Sequence, residues 1–173
     1  NALTEHARRV TPAVDTASDS MERFKDSIGD QMRAAASDFV SHLRDLHRSK
    51  GVNVFENNPI IVPVPLHPYR QNWRGFNQAE LIAHRIANTY QVRALNALSR
   101  NRRTDPQANI DDPAQRAQNI ANAFDCPDSA QIFGQDIVLI DDVCTSGATL
   151  NACAKILKSN GAKNVTALVV ARG

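Results

Sequence analysis

Residues 137–170 read IVLIDDVCTSGATLNACAKILKSNGAKNVTALVV. Ile137 to Ile140 form a short continuous apolar run, the signature of a strand buried on both faces. Thr145 to Thr149 hold only small or hydroxylated residues, so a turn is expected there. Leu150 to Ser159 follow with Leu150, Ala154, Ile156 and Leu157 on one helical face, and Gly161 supplies a stop. Val165 to Val170 make a second apolar run. Strand, helix and strand with two such runs predict a parallel pair joined by a right-handed crossover and covered on both faces. The fold class is α/β.

The rest of the chain fits around this unit. Pro59 to Pro65 (PIIVPVP) is an apolar run bounded by prolines and reads as a buried strand ending at Pro65. Asn77 is placed to cap a helix, with Glu80 at its third position and Leu81, Ile82 and Ile86 as its apolar face. Residues 94–99 and 122–126 read as weak strands. The polar stretch 101–119 between them is long for a loop inside a compact domain, which marks it as functional or disordered. Upstream, Phe24, Ile28, Met32, Ala36, Phe39, Leu43 and Leu46 recur at helical spacing, interrupted at Gly29 and stopped at Gly51. Residues 1–19 lack firm periodicity and are expected to be a mobile N-terminal arm, with one domain over residues 20–173. The chain begins at Asn1 rather than Met, so we expect it to be part of a longer protein.

At 173 residues the chain can bury one good core. No apolar run reaches the ~20 residues of a membrane span, and no secretory signal pattern is present, so a cytoplasmic protein is expected. Cys126, Cys144 and Cys153 are scattered and odd in number, which argues against a disulfide framework or a structural zinc site. Cys144 is either a small filler or a reactive thiol beside the loop. The five histidines have no metal-ligand spacing. Net charge is +2 but uneven: residues 67–103 carry +6, residues 104–173 carry −3 and residues 1–66 carry −1. A local basic field predicts a polyanionic ligand, either a phosphorylated small molecule or nucleic acid.

The chemistry centres on the opening stretch. In open parallel sheets ligands bind beyond the carboxyl ends of strands, where Asp141 and Asp142 stand. Thr145, Ser146, Gly147, Ala148 and Thr149 precede a helix, whose unpaired N–H groups and dipole favour an anion. Two carboxylates would repel a phosphate placed against them. They suit neutral hydroxyls, or Mg²⁺, a short distance away. A sugar bearing both a phosphate and free hydroxyls satisfies the whole pattern; a plain turn with a helix cap satisfies part of it.

VLIDDVCTSGATL also resembles the phosphoribosyl pyrophosphate signature of type I phosphoribosyltransferases. PIIVPVPLHPYRQNWRGFNQAELIAHRIA, with RTDPQ at 103–107, Arg116, Asn119 and Ala123-Phe124, resembles the ComF family of competence-associated phosphoribosyltransferase-like proteins. The resemblance covers roughly residues 24–173. It implies a type I phosphoribosyltransferase-like fold, a mostly parallel sheet flanked by helices, with a flexible hood loop. By this resemblance Asp141 and Asp142 hold the ribose hydroxyls and Thr145 to Thr149 wrap the 5-phosphate. Pro65, Leu66 and His67 face the pyrophosphate, which Arg70 and Arg74 neutralise, since guanidinium pairs bidentately with phosphate. Arg100, Arg103, Thr104 and Gln107 lie in or before the stretch resembling the hood loop. Mg²⁺ binds mainly through ligand oxygens, with Asp141 and Asp142 as indirect partners. Trp73 either stacks a base or packs at the rim. Many members of the family carry a four-cysteine zinc module at the N-terminus; residues 1–173 contain none, so it lies upstream or this lineage lacks it.

The expected reaction displaces pyrophosphate from the anomeric carbon by a nitrogen nucleophile, with Asp141, Asp142 and Arg74 as the catalytic set. Hypoxanthine-type enzymes carry an acid where this chain has Thr145, which argues against oxopurine salvage. The expected partners are phosphoribosyl pyrophosphate and, through the ComF resemblance, single-stranded DNA and the DNA-uptake machinery; a homodimer is carried as a further expectation. An active transferase, a nucleotide-salvage enzyme and a non-catalytic module that binds phosphoribosyl pyrophosphate and handles DNA all remain open on sequence.

Overall fold

A computed structural model of the chain describes the backbone at residues 2–51, 53–66, 76–100 and 123–173; side chains in these ranges are described from Glu22 onward, except Phe24 and Lys25. The element order is α1 (Ala2–Lys50), β1 (Ile60–Pro63), α2 (Gln78–Tyr90), β2 (Ser99–Arg100), β3 (Phe124–Asp125), α3 (Ser129–Ile132), β4 (Asp136–Cys144), α4 (Ala148–Ser159) and β5 (Asn164–Arg172). β4 lies between β1 and β5, and both pairs are parallel. Ala94 adds a parallel bridge to Ile61 on the outer side of β1. β2 and β3 form a separate antiparallel ribbon.

Two apolar layers cover the sheet. On one face Ala36 and Val40 of α1 and Ile82, Ala83 and Ile86 of α2 pack over Ile61, Val138 and Ile140. On the other, Leu150, Cys153 and Leu157 of α4, with Ala97, Leu98 and Phe124, cover Ile60, Val62, Ile137 and Leu139. Alternate residues of one strand thus serve opposite layers, as the two-residue period of a strand requires. Ile61, Ile137, Leu139, Ile140 and Leu157 are among the most enclosed side chains of this three-layer core.

Pro63 sets the shape of the sheet at its functional end. Ile61 N donates to Arg93 O (2.8 Å) and Leu95 N donates to Ile61 O (2.9 Å). The next rung would need an N–H at residue 63, and proline has none. The chain leaves the sheet after Leu95 and continues into the β2–β3 ribbon.

Several details differ from the expectations. Gly29 does not split the first helix; α1 is continuous, and Gly29 is buried with Arg33 alongside. Its helical backbone begins at Ala2. α4 starts two residues earlier than expected, and its buried positions are Leu150, Ala152, Cys153 and Leu157, the face turned to the sheet and the β2–β3 ribbon, while Ala154 and Ile156 are half-buried. β5 is not covered on both faces. None of Val165 to Val170 is buried, because β5 is at the edge of the described sheet. The stops at Gly51 and Gly161 do occur, both at positive φ. Any Cβ added at Gly161 would collide with the Phe133 ring.

Candidate functional site

β4 continues past its apolar stretch. It carries both acids and ends at Cys144, because β5 still provides partners there: Asp141 is opposite Val169, Val143 opposite Ala171 and Cys144 opposite Arg172. β1 stops at Pro63, opposite Ile140. The acids therefore project beyond the end of β1. Asp141 Oδ1 accepts from Asp142 N (3.0 Å), and Asp142 Oδ1 accepts from Val143 N (2.8 Å).

Burial raises the pKa of Asp141 to about 7, helped by the neighbouring Asp142 carboxylate and a side-chain hydrogen bond with it; the Arg100 charge pulls the other way. A carboxyl group poised near neutrality in a cleft is a functional-site signal. Cys153, at the inner face of α4, is pushed up to about 12 by burial and then by Asp141. Its thiol is inert at neutral pH.

The loop after β4 closes a small cavity of about 40 Å³, lined by Asp141, Val143, Cys144 and Thr145 to Leu150. A site needs roughly 10–15 Å³ on this measure to admit one water. The cavity therefore takes a group of a few heavy atoms. Gly147 caps α4 at φ 75°, a conformation glycine adopts without strain, and it has no side chain to occupy the first-turn N–H groups. Ser146 Oγ accepts from Ala148 N at a long 3.4 Å. The helix end thus keeps donors for an incoming anion.

The expected site residues divide into three sets. Asp141, Asp142, Thr145, Ser146, Gly147, Ala148 and Thr149 are brought together at one strand end and helix start. Pro65 and Leu66 are half-buried and leave β1 at the same end of the sheet, where Val64 N donates to Ile140 O (2.8 Å). His67, Arg70, Trp73, Arg74, Arg103, Thr104 and Gln107 lie outside the described residues. Arg100 lies just before the 101–119 stretch, at the end of β2. Its guanidinium sits over the Phe124 ring, 5.3 Å from the centroid, and its charge reaches Asp141 and Cys153.

Asn77 caps α2 as expected, accepting from Ala79 N (3.1 Å). Its other end donates to Val64 O (3.0 Å), a contact across thirteen residues that no local pattern announces. Glu80 binds outward instead of closing a capping box: Oε1 accepts from Asn96 Nδ2 (2.8 Å) and lies 3.8 Å from His84 Nε2.

Among the described residues no three His, Cys, Asp or Glu side chains converge to hold a metal. Two adjacent carboxylates fit a Mg²⁺ ion that takes most of its oxygens from water and a bound phosphate, as that ion commonly does. Among the described residues, no helix is long and apolar enough to cross a membrane.

Fold and site together define an α/β protein with a mostly parallel sheet and a candidate anion site at its strand carboxyl ends. Residues 74–173 match the phosphoribosyl transferase domain. The chain is 33% identical to competence protein F of Haemophilus influenzae over 132 residues, 75% of this chain and 56% of that protein. It is 29% identical to competence protein ComFC of Bacillus subtilis over 92% of this chain and 60% of that one. DNA utilization protein YhgH of Escherichia coli K12 is 34% identical over 61% of this chain and 45% of its own length. The chain thus spans about half the length of these curated relatives. A glutamine phosphoribosylpyrophosphate amidotransferase from B. subtilis shares the fold at TM-score 0.50 and 16% identity, over 80% of this chain and 26% of that one. The chain belongs to the phosphoribosyl transferase domain family and, within it, to the ComF group.

Proposed function

We propose that the chain binds phosphoribosyl pyrophosphate across the carboxyl ends of β1 and β4. The observation that carries this reading is the small cavity wrapped by Cys144 to Thr149 directly beside the Asp141–Asp142 pair. The 5-phosphate occupies the cavity and takes N–H donors from the start of α4. The ribose hydroxyls donate to Asp141 and Asp142. Pro65 and Leu66, with His67, Arg70 and Arg74, face the pyrophosphate. Mg²⁺, when bound, neutralises pyrophosphate oxygens.

Arg74 assists departure of pyrophosphate by holding its charge, a form of electrostatic stabilisation. Arg100 keeps a positive charge near Asp141. Arg103, Thr104 and Gln107 belong to the hood loop over the ligand. Thr145 is neutral and exposed, so this position holds no carboxylate to take a proton from an oxopurine.

The names of the relatives, competence proteins and DNA utilization proteins, support a role linked to competence and DNA use. In that role the +6 stretch meets single-stranded DNA.

Isothermal calorimetry with phosphoribosyl pyrophosphate and Mg²⁺ tests the binding. Saturable binding by the wild type, lost in the double variant Asp141→Asn, Asp142→Asn, is expected; equal binding by both sinks the reading. Pyrophosphate release against a panel of bases then separates transferase from binding module. Robust turnover with one common base points to salvage, and binding without release removes the enzyme.

A further inference from the structure

We infer that Asn77 is a positioning residue of this site, setting the loop after β1 against the carboxylate end of β4. The inference rests on the phosphoribosyl pyrophosphate reading above.

Val64 stands between Pro63 and Pro65, so it owns the only N–H in that tripeptide. That N–H donates to Ile140 O (2.8 Å), one residue before Asp141. The Val64 carbonyl accepts from Asn77 Nδ2 (3.0 Å). Both peptide groups of this buried residue are thereby fixed, one to β4 and one to the start of α2. Asn77 is itself only 8% exposed, and its Oδ1 is held by Ala79 N (3.1 Å). One side-chain amide thus spans the gap between the strand exit and the helix start, with both ends engaged.

The consequence for the ligand is geometric. The loop at Pro65–Leu66 and the acids at 141–142 leave the sheet from neighbouring strands. Their separation must match the distance between the pyrophosphate and the ribose hydroxyls of one molecule. The prolines remove the main-chain donors that would otherwise hold the loop, and Asn77 takes their place. A ligand touching only the β4–α4 half does not need that separation.

Asp at position 77 keeps the helix cap, since it accepts from the backbone as well as Asn does. It loses the amide donor and sets a carboxylate against the Val64 carbonyl. Ser also keeps a cap but does not reach Val64. We expect both Asn77→Asp and Asn77→Ser to stay folded by circular dichroism. In calorimetry both weaken phosphoribosyl pyrophosphate binding at least tenfold, while ribose 5-phosphate binds within about twofold of the wild type. Unchanged affinity for phosphoribosyl pyrophosphate in either folded variant overturns the inference. So does an equal loss for both ligands, or failure of both variants to fold, since each makes Asn77 a general support. A wild type that binds neither ligand removes the reading of the site itself, and the inference with it.

Discussion

β4 and β5 are parallel neighbours in one sheet, and each carries a mostly apolar stretch, Ile137–Ile140 in β4 and Val165–Val170, with Thr166, in β5. Yet Ile137 to Ile140 are at most 2% exposed, while none of Val165 to Val170 is buried. β4 has a strand on each side and helices over both faces. Among the described residues β5 has β4 on one side only, and α1 covers it in part, leaving an apolar groove of about 570 Å³ between Phe39, Leu43 and Leu46 and Leu168 to Val170. Two apolar stretches therefore form a core in one strand and an open rim in the other. Position in the sheet, not hydrophobicity, decides burial. The strand that is rigidly packed is also the one that carries the acids, which suits a site needing fixed geometry.

The two strands differ most in consequence at their carboxyl ends. Replacing Asp141 and Asp142 by Asn removes charged acceptors for two hydroxyls, each such bond being worth about 1.5–3 kcal/mol. Binding of phosphoribosyl pyrophosphate should fall at least about a hundredfold in calorimetry. Replacing the register partners of that region on β5, Val169 or Ala171, should leave it within a few-fold.

In the strand bodies, Leu139→Ala should lower stability by about 2–5 kcal/mol in chemical denaturation. Leu168→Ala, on the half-open strand, should lower it by about 1 kcal/mol. Equal losses would mean that β5 is covered in solution.

A smaller effect follows from Asp141. Its folded pKa is raised to about 7 from 3.8, so between these values the folded chain keeps a proton that the unfolded chain releases. Stability from this group therefore falls as pH rises from about 4 to about 7. Asp141→Asn should melt at a higher temperature than the wild type at pH 8 and close to it at pH 4, while binding less. A wild type and variant that melt alike at both pH values would place Asp141 in a more solvated setting.

Much of this site is local in sequence and so could be read there. Apolar strand, acid pair, small-residue turn and helix follow one another within fifteen residues, and Asn77 announces a cap by its place before an apolar period. The missing parts depend on contacts between distant segments. Nothing around Val165–Val170 states that this strand has one neighbour among the described residues. The reach of Asn77 to Val64 requires the helix start to fold back over the strand exit. Arg100 looks like a loop arginine until Phe124, opposite it in the ribbon, gives its guanidinium a surface. β4 runs through two like charges because β5 is long enough to keep the ladder going, a property of the partner strand.

The open rim has a practical side. Among the described residues β5 is an edge strand, with nine residues that include no proline and one charge, at Arg172, and such an edge is a template for pairing with other chains. Protein concentration is then a variable in every titration: the apparent molar mass from light scattering should rise with concentration, and should rise less when Val170 is replaced by Lys, with stability changed by no more than about 0.5 kcal/mol. An assay run dilute, or on that variant, measures the ligand rather than the company the strand keeps.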